Sequence, residues 1–283
     1  MIWIYQCGEG KHLASTVVTL SASLACAPCR HAATAPLEQF GNQTSGEANM
    51  RPVNSADNLR PIVHQTLSAK VYQDLRQMIM SGQLQPGERL TLARMATALG
   101  TSVMPVREAV NKLAADAALE ILPNKSVRVP VLTRARFEEL VVIRLVVEGL
   151  AVATAASRIT AEQLGTLAEL EQHFSREIAL AEPDVNQIIQ INKQFHFAAY
   201  AAAQMPALSG LIEGLWLRIG PVLNLDLRNS GSRRRSDLPS VKAHRALLDA
   251  LRAGDGAAAR GALALDINSA AAVILAGTGL REN

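Results

Sequence analysis

The sequence predicts a mainly α-helical protein in two parts, a small basic part followed by a larger helical one. Aromatic residues make up only 4% of the chain, while alanine is abundant, and this composition favours packed helices over sheet. From about Ser68 onward, apolar residues recur at helical spacing. The 283 residues, 49% of them hydrophobic, are enough for two domains.

The distribution of charge also divides the chain into two parts. From Gln65 to Thr133 there are eight Lys and Arg against five Asp and Glu, whereas residues 1–64 and 134–283 are each balanced. A basic block beside a neutral one indicates that the first part meets a polyanion such as nucleic acid. No apolar run reaches the roughly 20 residues that a membrane span needs, which favours a soluble protein without a membrane partner.

Residues 1–64 are predicted to form a disordered tail, because they lack sustained periodicity and contain a long polar stretch rich in Gly, Asn and Ser. Met50 is a sensible alternative start, so we expect the first 49 residues to be dispensable. The cysteines are Cys7, Cys26 and Cys29, and no second pair completes a four-ligand zinc site with CAPC. The apolar stretch before CAPC resembles a short signal-peptide core, but its flank is nearly uncharged, which disfavours export.

Three short helices are predicted to follow the tail. Ser68, Thr91 and Ser102 are their expected N-caps, and Gly82 and Gly100 stand where the first two end. The apolar positions at helical spacing are Val71, Leu75, Met78 and Ile79 in the first helix, Leu92, Met95, Ala96 and Leu99 in the second, and Val106, Ala109, Val110 and Leu113 in the third.

The third helix carries a proline near its start. Pro105 falls at the third helical position, where a missing N–H costs no intrahelical hydrogen bond. Next, LEILP and VRVPVL flank Asn124-Lys125-Ser126 and favour a hairpin with a basic tip. Residues 65–133 therefore predict a winged helix-turn-helix with its third helix in the DNA major groove, and the alternative is a small bundle with an inert hairpin.

Residues 134–283 predict an all-helical bundle of about six helices. The first runs from about Arg134 to Arg158, and the others begin at Thr160, near Asp184, after Pro206 and on either side of the Gly254-Asp255-Gly256 break. Residues 229–240 are expected to form a loop, in which Arg233-Arg234-Arg235 is a solvated run in preference to a second nucleic-acid site. Bundles of this kind commonly place ligand sites between facing helices.

Two motifs in the first part, SGQLQPGERL and PVREAV, closely resemble the DNA-binding domain of the GntR family of bacterial transcription regulators. The helical remainder resembles the FCD ligand-binding domain of the FadR subfamily, with landmarks in RLVVE, QFHFAAY, LWLRIGP and His244. The resemblance implies a cytoplasmic, homodimeric, ligand-responsive regulator on a palindromic operator, and not an enzyme. Repression relieved by an effector is common in this family, so the resemblance favours a repressor that its effector releases from DNA.

The resemblance also implies which residues meet DNA. Many members carry an arginine directly after the serine that caps the recognition helix, whereas this chain has Val103. Arg107 is then the best base-reading candidate, and Arg94 and Lys125 are candidate phosphate or wing contacts. Asp116-Ala117 and Ser126 stand where glycine-containing turns are common, which puts loop geometry in question. The full candidate set is Arg94, Ser102, Val103, Met104, Arg107, Asn111, Lys112 and Lys125.

A metal site is implied in the same way. Many FCD domains bind a divalent cation through an aspartate four residues before a histidine and two further histidines, and the matching positions here are Asn192, His196, His244 and Asp266. Two imidazoles, one carboxylate and one amide suit zinc, nickel or manganese, although an amide is a weaker ligand than a carboxylate. The alternative is that both histidines are hydrogen-bonded core residues in a pocket that binds its effector without metal.

Arg144 lies one helical turn before Glu148, and two interpretations stay open. One is an exposed ion pair of little energetic weight, and the other, which the resemblance favours, is an inward clamp for an effector carboxylate. The candidate effector-binding residues are Arg144, Asn192, His196 and His244. Trp216 is expected in the core and Arg218 at the surface or a dimer contact, with lining of the pocket as the alternative.

Two other functions compete with transcription regulation as explanations of the sequence. A metal-dependent enzyme using His196, His244 and Asp266 would lack an evident nucleophile or general base and would leave the basic block unexplained. A DNA-binding protein with a purely structural bundle would not explain polar residues buried at Asn192, His196 and His244, because burying polar groups without partners costs free energy.

Overall fold

The computed structural model describes residues 66–124, 126–223, 239–277 and 279–282. The expected tail, with its three cysteines and Met50, lies outside the described residues, as do Lys125 and Arg233-Arg234-Arg235. The hypotheses about those segments therefore stay predictions.

The first part contains three helices, α1 (Leu67–Met80), α2 (Leu92–Ala98) and α3 (Val103–Ala115). Strands β1 (Arg89–Leu90), β2 (Glu120–Ile121) and β3 (Val127–Arg128) form an antiparallel sheet in the order β1-β3-β2. The hairpin β2–β3 is the predicted wing, whereas β1 was not predicted, because it forms through pairing with the distant β3 and no β-favouring run marks it in the sequence. Arg128 of β3 holds the wing together by bonding Glu120 on β2 at 2.8 and 2.5 Å.

Helix starts in this part depart from expectation at two positions. Thr66, and not Ser68, caps α1, since its Oγ1 accepts from the Ala69 amide at 3.2 Å. Thr91 caps α2 as predicted. Ser102 occupies the N-cap position of α3, but its side chain makes no capping hydrogen bond. Pro105 lies at the predicted third position of α3.

The second part is the predicted bundle of six helices among the described residues. They are α4 (Arg134–Ala155), α5 (Ala161–Ala179), α6 (Val185–Ala201), α7 (Pro206–Leu223), α8 (Pro239–Arg252) and α9 (Gly256–Ala276). Thr160 and Gln163 form the expected capping box at the start of α5. Helix α4 ends three residues before Arg158, and α8 takes in Pro239 and Ser240, which were expected in the loop.

Helix α9 is long and apolar enough, by length and composition alone, to span a membrane, and only 33% of its most apolar stretch is buried. The helix nevertheless carries Arg260 and Asp266 and packs against α8 and α4. Core helices of soluble proteins can have the same length and apolar composition, so one such helix is weak evidence for a membrane span.

The two parts meet through α1 and α7. A Cβ at Gly220 on α7 would lie 2.8 Å from the Met80 Cα, so the close approach of the two helices requires glycine there. Arg76 on α1 pairs with Glu213 on α7 at 2.5 Å. Gln77 donates to Gln190 on α6 at 2.7 Å, and its side-chain oxygen accepts from Lys193 on α6.

A second contact joins the end of α3 to α7. Arg218, expected at the surface or in a dimer contact, donates from Nε to the Asp116 carbonyl oxygen at 3.1 Å and is half-buried. The next residue, Ala117, adopts a left-handed backbone with φ of 57°. Glycine would take this conformation at less cost, so the sequence departure noted at this turn coincides with local strain.

Candidate functional site

Helix α3 presents a polar, exposed face opposite a buried one. Val106, Ala109, Val110 and Leu113 are 0–1% exposed and anchor the helix in the core. Met104, Arg107, Asn111 and Lys112 are exposed, as are Ser102 before the helix and Arg94 on α2. Val103 was expected to face outward. It is instead half-buried, because the first turn of α3 packs its side chain against the hydrophobic core.

A cleft of about 230 Å³ separates α3 from the wing. Arg107 and Asn111 line it on the helix side, and Ile121 and Val127 line it on the wing side. Neither Arg107 nor Lys112 has an ion-pair partner among the described residues, so both cations are free to meet an anion.

A fully buried carboxylate organises the centre of the bundle. Glu148 on α4 accepts two hydrogen bonds from Arg144, at 2.6 and 3.2 Å, and both side chains are almost inaccessible to solvent. Tyr200 on α6 donates to the same carboxylate at 2.6 Å, and Trp216 on α7 donates at 3.1 Å. The Arg144 guanidinium also lies 5.3 Å from the centre of the Trp216 ring.

The structure matches neither interpretation of Arg144 in full. The ion pair with Glu148 exists, but it is buried and so is not the exposed pair of the first interpretation, while the effector clamp of the second stays a prediction. Burial opposes the positive charge of Arg144, but the Glu148 carboxylate outweighs it and raises the pKa of the guanidinium. Since Nε and one terminal nitrogen bond Glu148, the remaining nitrogen is the part of Arg144 left for a ligand.

Three of the four candidate metal ligands converge beside this carboxylate. The Nε2 atoms of His196 and His244 are 3.2 Å apart, and Asp266 Oδ2 lies 3.2 Å from His196 Nε2. The ligand atoms of the three residues all lie within 4.8 Å of one another, although they come from α6, α8 and α9. Asn192, one turn before His196, lines the same cavity. We call these four residues the histidine cluster.

The electrostatics of the cluster suit a cation. Burial lowers the pKa of His244 to about 3, so its imidazole is neutral near pH 7. Burial opposes ionisation of Asp266, but the hydrogen bond to His196 and the nearby basic groups lower the pKa of its carboxyl. The His244 ring is stacked at 4.3 Å on Phe195, and its Nδ1 has no hydrogen-bond partner among the described residues.

The cavity at the cluster is narrow. Its volume is about 20 Å³, which is room for one water molecule or one metal ion. Arg144, Asn192, His196, Trp216 and Asp266 line it, together with Leu223, Ser240, Ile267 and Ala270. His244 is not among the lining residues, because its ring lies deeper, between Phe174 and Phe195.

Sequence reasoning missed Tyr200 as a member of this site and gave Trp216 as a pocket-lining residue only as the alternative. Tyr200 bonds both Glu148 and His196, and Trp216 bonds Glu148 as well as lining the cavity. The only available signal was the position of Tyr200, which follows His196 by four residues and so shares its helix face.

Comparisons with known proteins agree with this architecture. A family model described as "Bacterial regulatory proteins, gntR family" matches residues 67–129, and one described as "FCD domain" matches residues 139–269. The "HTH-type transcriptional regulator McbR" of Escherichia coli (strain K12) is 37% identical over 161 residues, which is 57% of this chain and 72% of McbR. The "Probable D-xylose utilization operon transcriptional repressor" of Paenarthrobacter nicotinovorans is 30% identical over 203 residues, covering 70% and 84% of the two chains.

Solved structures extend the likeness to the three-dimensional fold. The structure titled "E. coli McbR/YncC" has a TM-score of 0.69 and 32% identity, and the match covers 75% of this chain and 98% of that one. A putative GntR transcriptional regulator from Rhodococcus sp. RHA1 has a TM-score of 0.60 and 25% identity over 74% and 98% of the chains.

We expect Glu148→Gln to lower the free energy of unfolding by about 3 kcal/mol or more, because it leaves the Arg144 charge buried without its counter-ion. Glu139→Gln is the matched control, since Glu139 sits on the same helix in an ion pair with Arg136 that is half exposed. That change should cost less than about 1 kcal/mol. Urea denaturation followed by circular dichroism measures both, and equal losses would contradict the assignment.

Proposed function

Because the chain belongs to the GntR family of bacterial transcription regulators and carries an FCD domain, we propose that it is a cytoplasmic repressor which a small carboxylate metabolite releases from a palindromic operator. The DNA-binding part reads the operator, and the helical bundle binds the effector. Effector binding then changes the relative placement of the two DNA-binding parts of a homodimer.

The observation that carries this proposal is the two-sided recognition helix α3. Its apolar side is wholly buried, while Arg107, Asn111 and Lys112 project from the other side, and their side chains form no hydrogen bond or ion pair within the described part of the chain. Arginine reads guanine through two hydrogen bonds in the major groove. Ser102 and the first amides of α3, which no side chain caps, are suited to a DNA phosphate. Lys125 in the wing and Arg94 on α2 are proposed phosphate contacts.

We expect Arg107→Ala to cost about 1–3 kcal/mol of discrimination between the operator and random DNA, because a base contact carries specificity. Arg94→Ala should instead weaken binding to the operator and to random DNA by about the same factor, and it should make the affinity for DNA less dependent on salt concentration. Val103→Arg should alter operator preference, since it restores the cation common in relatives.

Mobility shifts on DNA selected from a random pool, at several salt concentrations, measure these effects. Arg252→Ala, on the exposed side of α8, is the control and should leave DNA binding unchanged. Unchanged specificity in both the Arg107 and Val103 variants would move the base-reading surface to the wing, and the absence of salt-sensitive binding to any DNA would refute the proposal.

The histidine cluster is proposed to hold one divalent metal ion, with zinc, nickel and manganese as candidates. Two imidazole nitrogens and a carboxylate oxygen converge on one point, and the neutral state of His244 leaves one ring nitrogen with a lone pair for a metal. Asn192 supplies a fourth, neutral ligand from one turn earlier on α6. When bound, the metal would supply a positive charge at the cavity to which an effector carboxylate can coordinate.

Protein purified without chelator should contain about one equivalent of metal by elemental analysis, and His196→Ala should lose it because a ligand is gone. His173→Ala is the matched control, since that exposed histidine on α5 is hydrogen-bonded to Gln187 and does not belong to the histidine cluster. Metal retained equally by wild type and His196→Ala would dismiss the site and leave the alternative of a metal-free effector pocket.

The effector is proposed to bind beside the cluster through Arg144, Asn192, His196 and His244. The nitrogen of Arg144 that Glu148 does not engage can donate to a carboxylate, and the metal would take a further oxygen. His244 would act through the metal and the shape of the pocket, because it lies behind the cavity wall.

The homodimer is proposed to form through the outer face of α4. From Leu140 to Ala153, every exposed residue of this helix is apolar, and Val142, Val146 and Leu150 recur every four residues with 61%, 65% and 41% exposure. A lone exposed apolar residue is ordinary, but a continuous stripe indicates an interface.

Charges at the two ends of the stripe support a second copy as the occupant. Glu138 and Glu139 precede it, and the Arg260 side chain lies over Gly149 near its carboxyl end. Antiparallel pairing of two α4 helices across a two-fold axis would place the acidic end of one beside Arg260 of the other.

Val146→Asp should convert a dimer to a monomer at micromolar concentration, because pairing would bury an unpaired charge. Leu180→Asp is the matched control, since Leu180 is a solitary exposed leucine at the end of α5. Sedimentation velocity measures the masses, and a monomeric wild type or a dimeric Val146→Asp variant would contradict the interface.

A further inference from the structure

We propose that the junction between the DNA-binding part and the helical bundle contains a second small-molecule site, which takes a monocarboxylate with an apolar body. The site is a cavity of about 290 Å³, which we call the junction cavity. It is lined by Ala117 after α3, Glu120 on the wing, Leu132 between β3 and α4, Arg136 on α4 and Arg218 on α7. The inference goes beyond the proposed function, because none of these residues lines the cavity at the histidine cluster.

The junction cavity has the size of a ligand site. Cavities that bind small organic molecules span about 300–1,000 Å³, and 290 Å³ lies at the lower end of that range. The cavity at the histidine cluster, at about 20 Å³, is many times smaller. A compact organic molecule therefore fits the junction cavity without a rearrangement of the helices around it.

Most of the wall is apolar, and this determines the body of the ligand. Leu119 and Leu140 are only 2% and 1% exposed, and Ala114, Pro130 and Leu132 line the cavity with them. Water in contact with such a wall lacks hydrogen-bond partners, whereas an apolar ligand removes the wall from water. The gain in free energy grows with the apolar area that is buried, so a hydrocarbon chain or ring is the favoured body.

Arg218 supplies the group that would recognise the charged end of the ligand. Its Nε donates to the Asp116 carbonyl oxygen at 3.1 Å, which holds the side chain in place. Among the described residues, neither terminal nitrogen of Arg218 has a hydrogen-bond or ion-pair partner. Two such nitrogens can donate one hydrogen bond to each oxygen of a carboxylate.

The other two charged side chains of the wall are already paired with residues outside it. Glu120 accepts from Arg128 at 2.8 and 2.5 Å, and Arg136 pairs with Glu139. Arg136 is also 49% exposed, which places it at the solvent side of the cavity. One positive charge, that of Arg218, is thus left without a partner, and it matches a single carboxylate. A phosphate dianion fits less well, because Glu120 would repel its second charge.

A ligand in the junction cavity would contact both parts of the protein at the same time. The end of α3 and the wing belong to the DNA-binding part, whereas α4 and α7 belong to the bundle. Such a ligand binds best when these elements stand as they do in this structure, so it would favour this arrangement over others. The junction cavity would therefore give the regulator a second input, separate from the histidine cluster.

Isothermal titration calorimetry of the full-length chain with octanoate tests the site, and octanamide is an uncharged probe of the same shape. Octanoate should bind wild type about 10–100-fold more tightly than octanamide, because only octanoate forms charge-assisted hydrogen bonds with Arg218. Arg218→Gln should remove this preference. Arg158→Gln is the matched control, since Arg158 donates to the Ala203 carbonyl oxygen at 2.7 Å beyond the far end of α4, and it should leave both affinities unchanged.

Ala114→Leu gives a second test that keeps the Arg218 charge. Leucine is a good helix former, so α3 should persist, as circular dichroism can verify. The added carbons would occupy the junction cavity, and octanoate and octanamide should both bind at least about 10-fold more weakly. His196→Ala should bind octanoate as wild type does, because the histidine cluster does not line this cavity.

The outcomes separate this site from the proposed metal site. Wild type that does not bind octanoate at millimolar concentration would overturn the inference, as would equal octanoate binding by wild type and both cavity variants. Binding that His196→Ala loses and Arg218→Gln keeps would place the carboxylate at the histidine cluster, which overturns the junction site and leaves the proposed function standing. Octanoate binding that depends on Arg218 in a chain without metal would support the junction site while the metal assignment fails.

Discussion

The buried ion pair between Arg144 and Glu148 is the interaction on which the helical bundle depends. A carboxylate and a guanidinium both lose their water when buried, and that cost is offset only if each keeps several hydrogen-bond partners. Glu148 meets this condition by collecting donors from α4, α6 and α7. One carboxylate therefore fixes the relative placement of the three helices whose side chains line most of the cavity.

Helix placement was predictable because its signals are local. N-caps such as Thr91 and the capping box at Thr160 act within four residues, and the buried side of α3 follows from its period of 3.6. The convergence of His196, His244 and Asp266 was predicted from a family resemblance, since no spacing along the chain relates residues on three different helices. Where the local rule was weak, as at Ser68 beside Thr66, the neighbouring residue took the cap.

The hydrogen-bond partners of Glu148 could not be predicted from such local signals. Helix α4 is apolar around nearly its whole circumference, so periodicity could not say whether Arg144 faced inward. A tyrosine or tryptophan in an apolar helix is equally consistent with plain core packing, and Tyr200 differs only through a hydroxyl whose partner is 52 residues away. Strand β1 was not predicted for another reason, because it forms through pairing with β3 and its own two residues carry no strand signal.

The small size of the cavity has a mechanical consequence. A pocket of about 20 Å³ admits an ion or a water molecule, and a metabolite of several heavy atoms is many times larger. Close-packed interiors resist compression, so binding a molecule of that size would require the side chains or helices around the cavity to move. Asn192 on α6 and Trp216 on α7 line the cavity. The same two helices contact α1 of the DNA-binding part, α6 through a hydrogen bond from Lys193 and α7 through an ion pair of Glu213. If the proposed effector binds at this cavity, a displacement of α6 or α7 would also move α1, so effector binding and a shift of the DNA-binding part would be coupled.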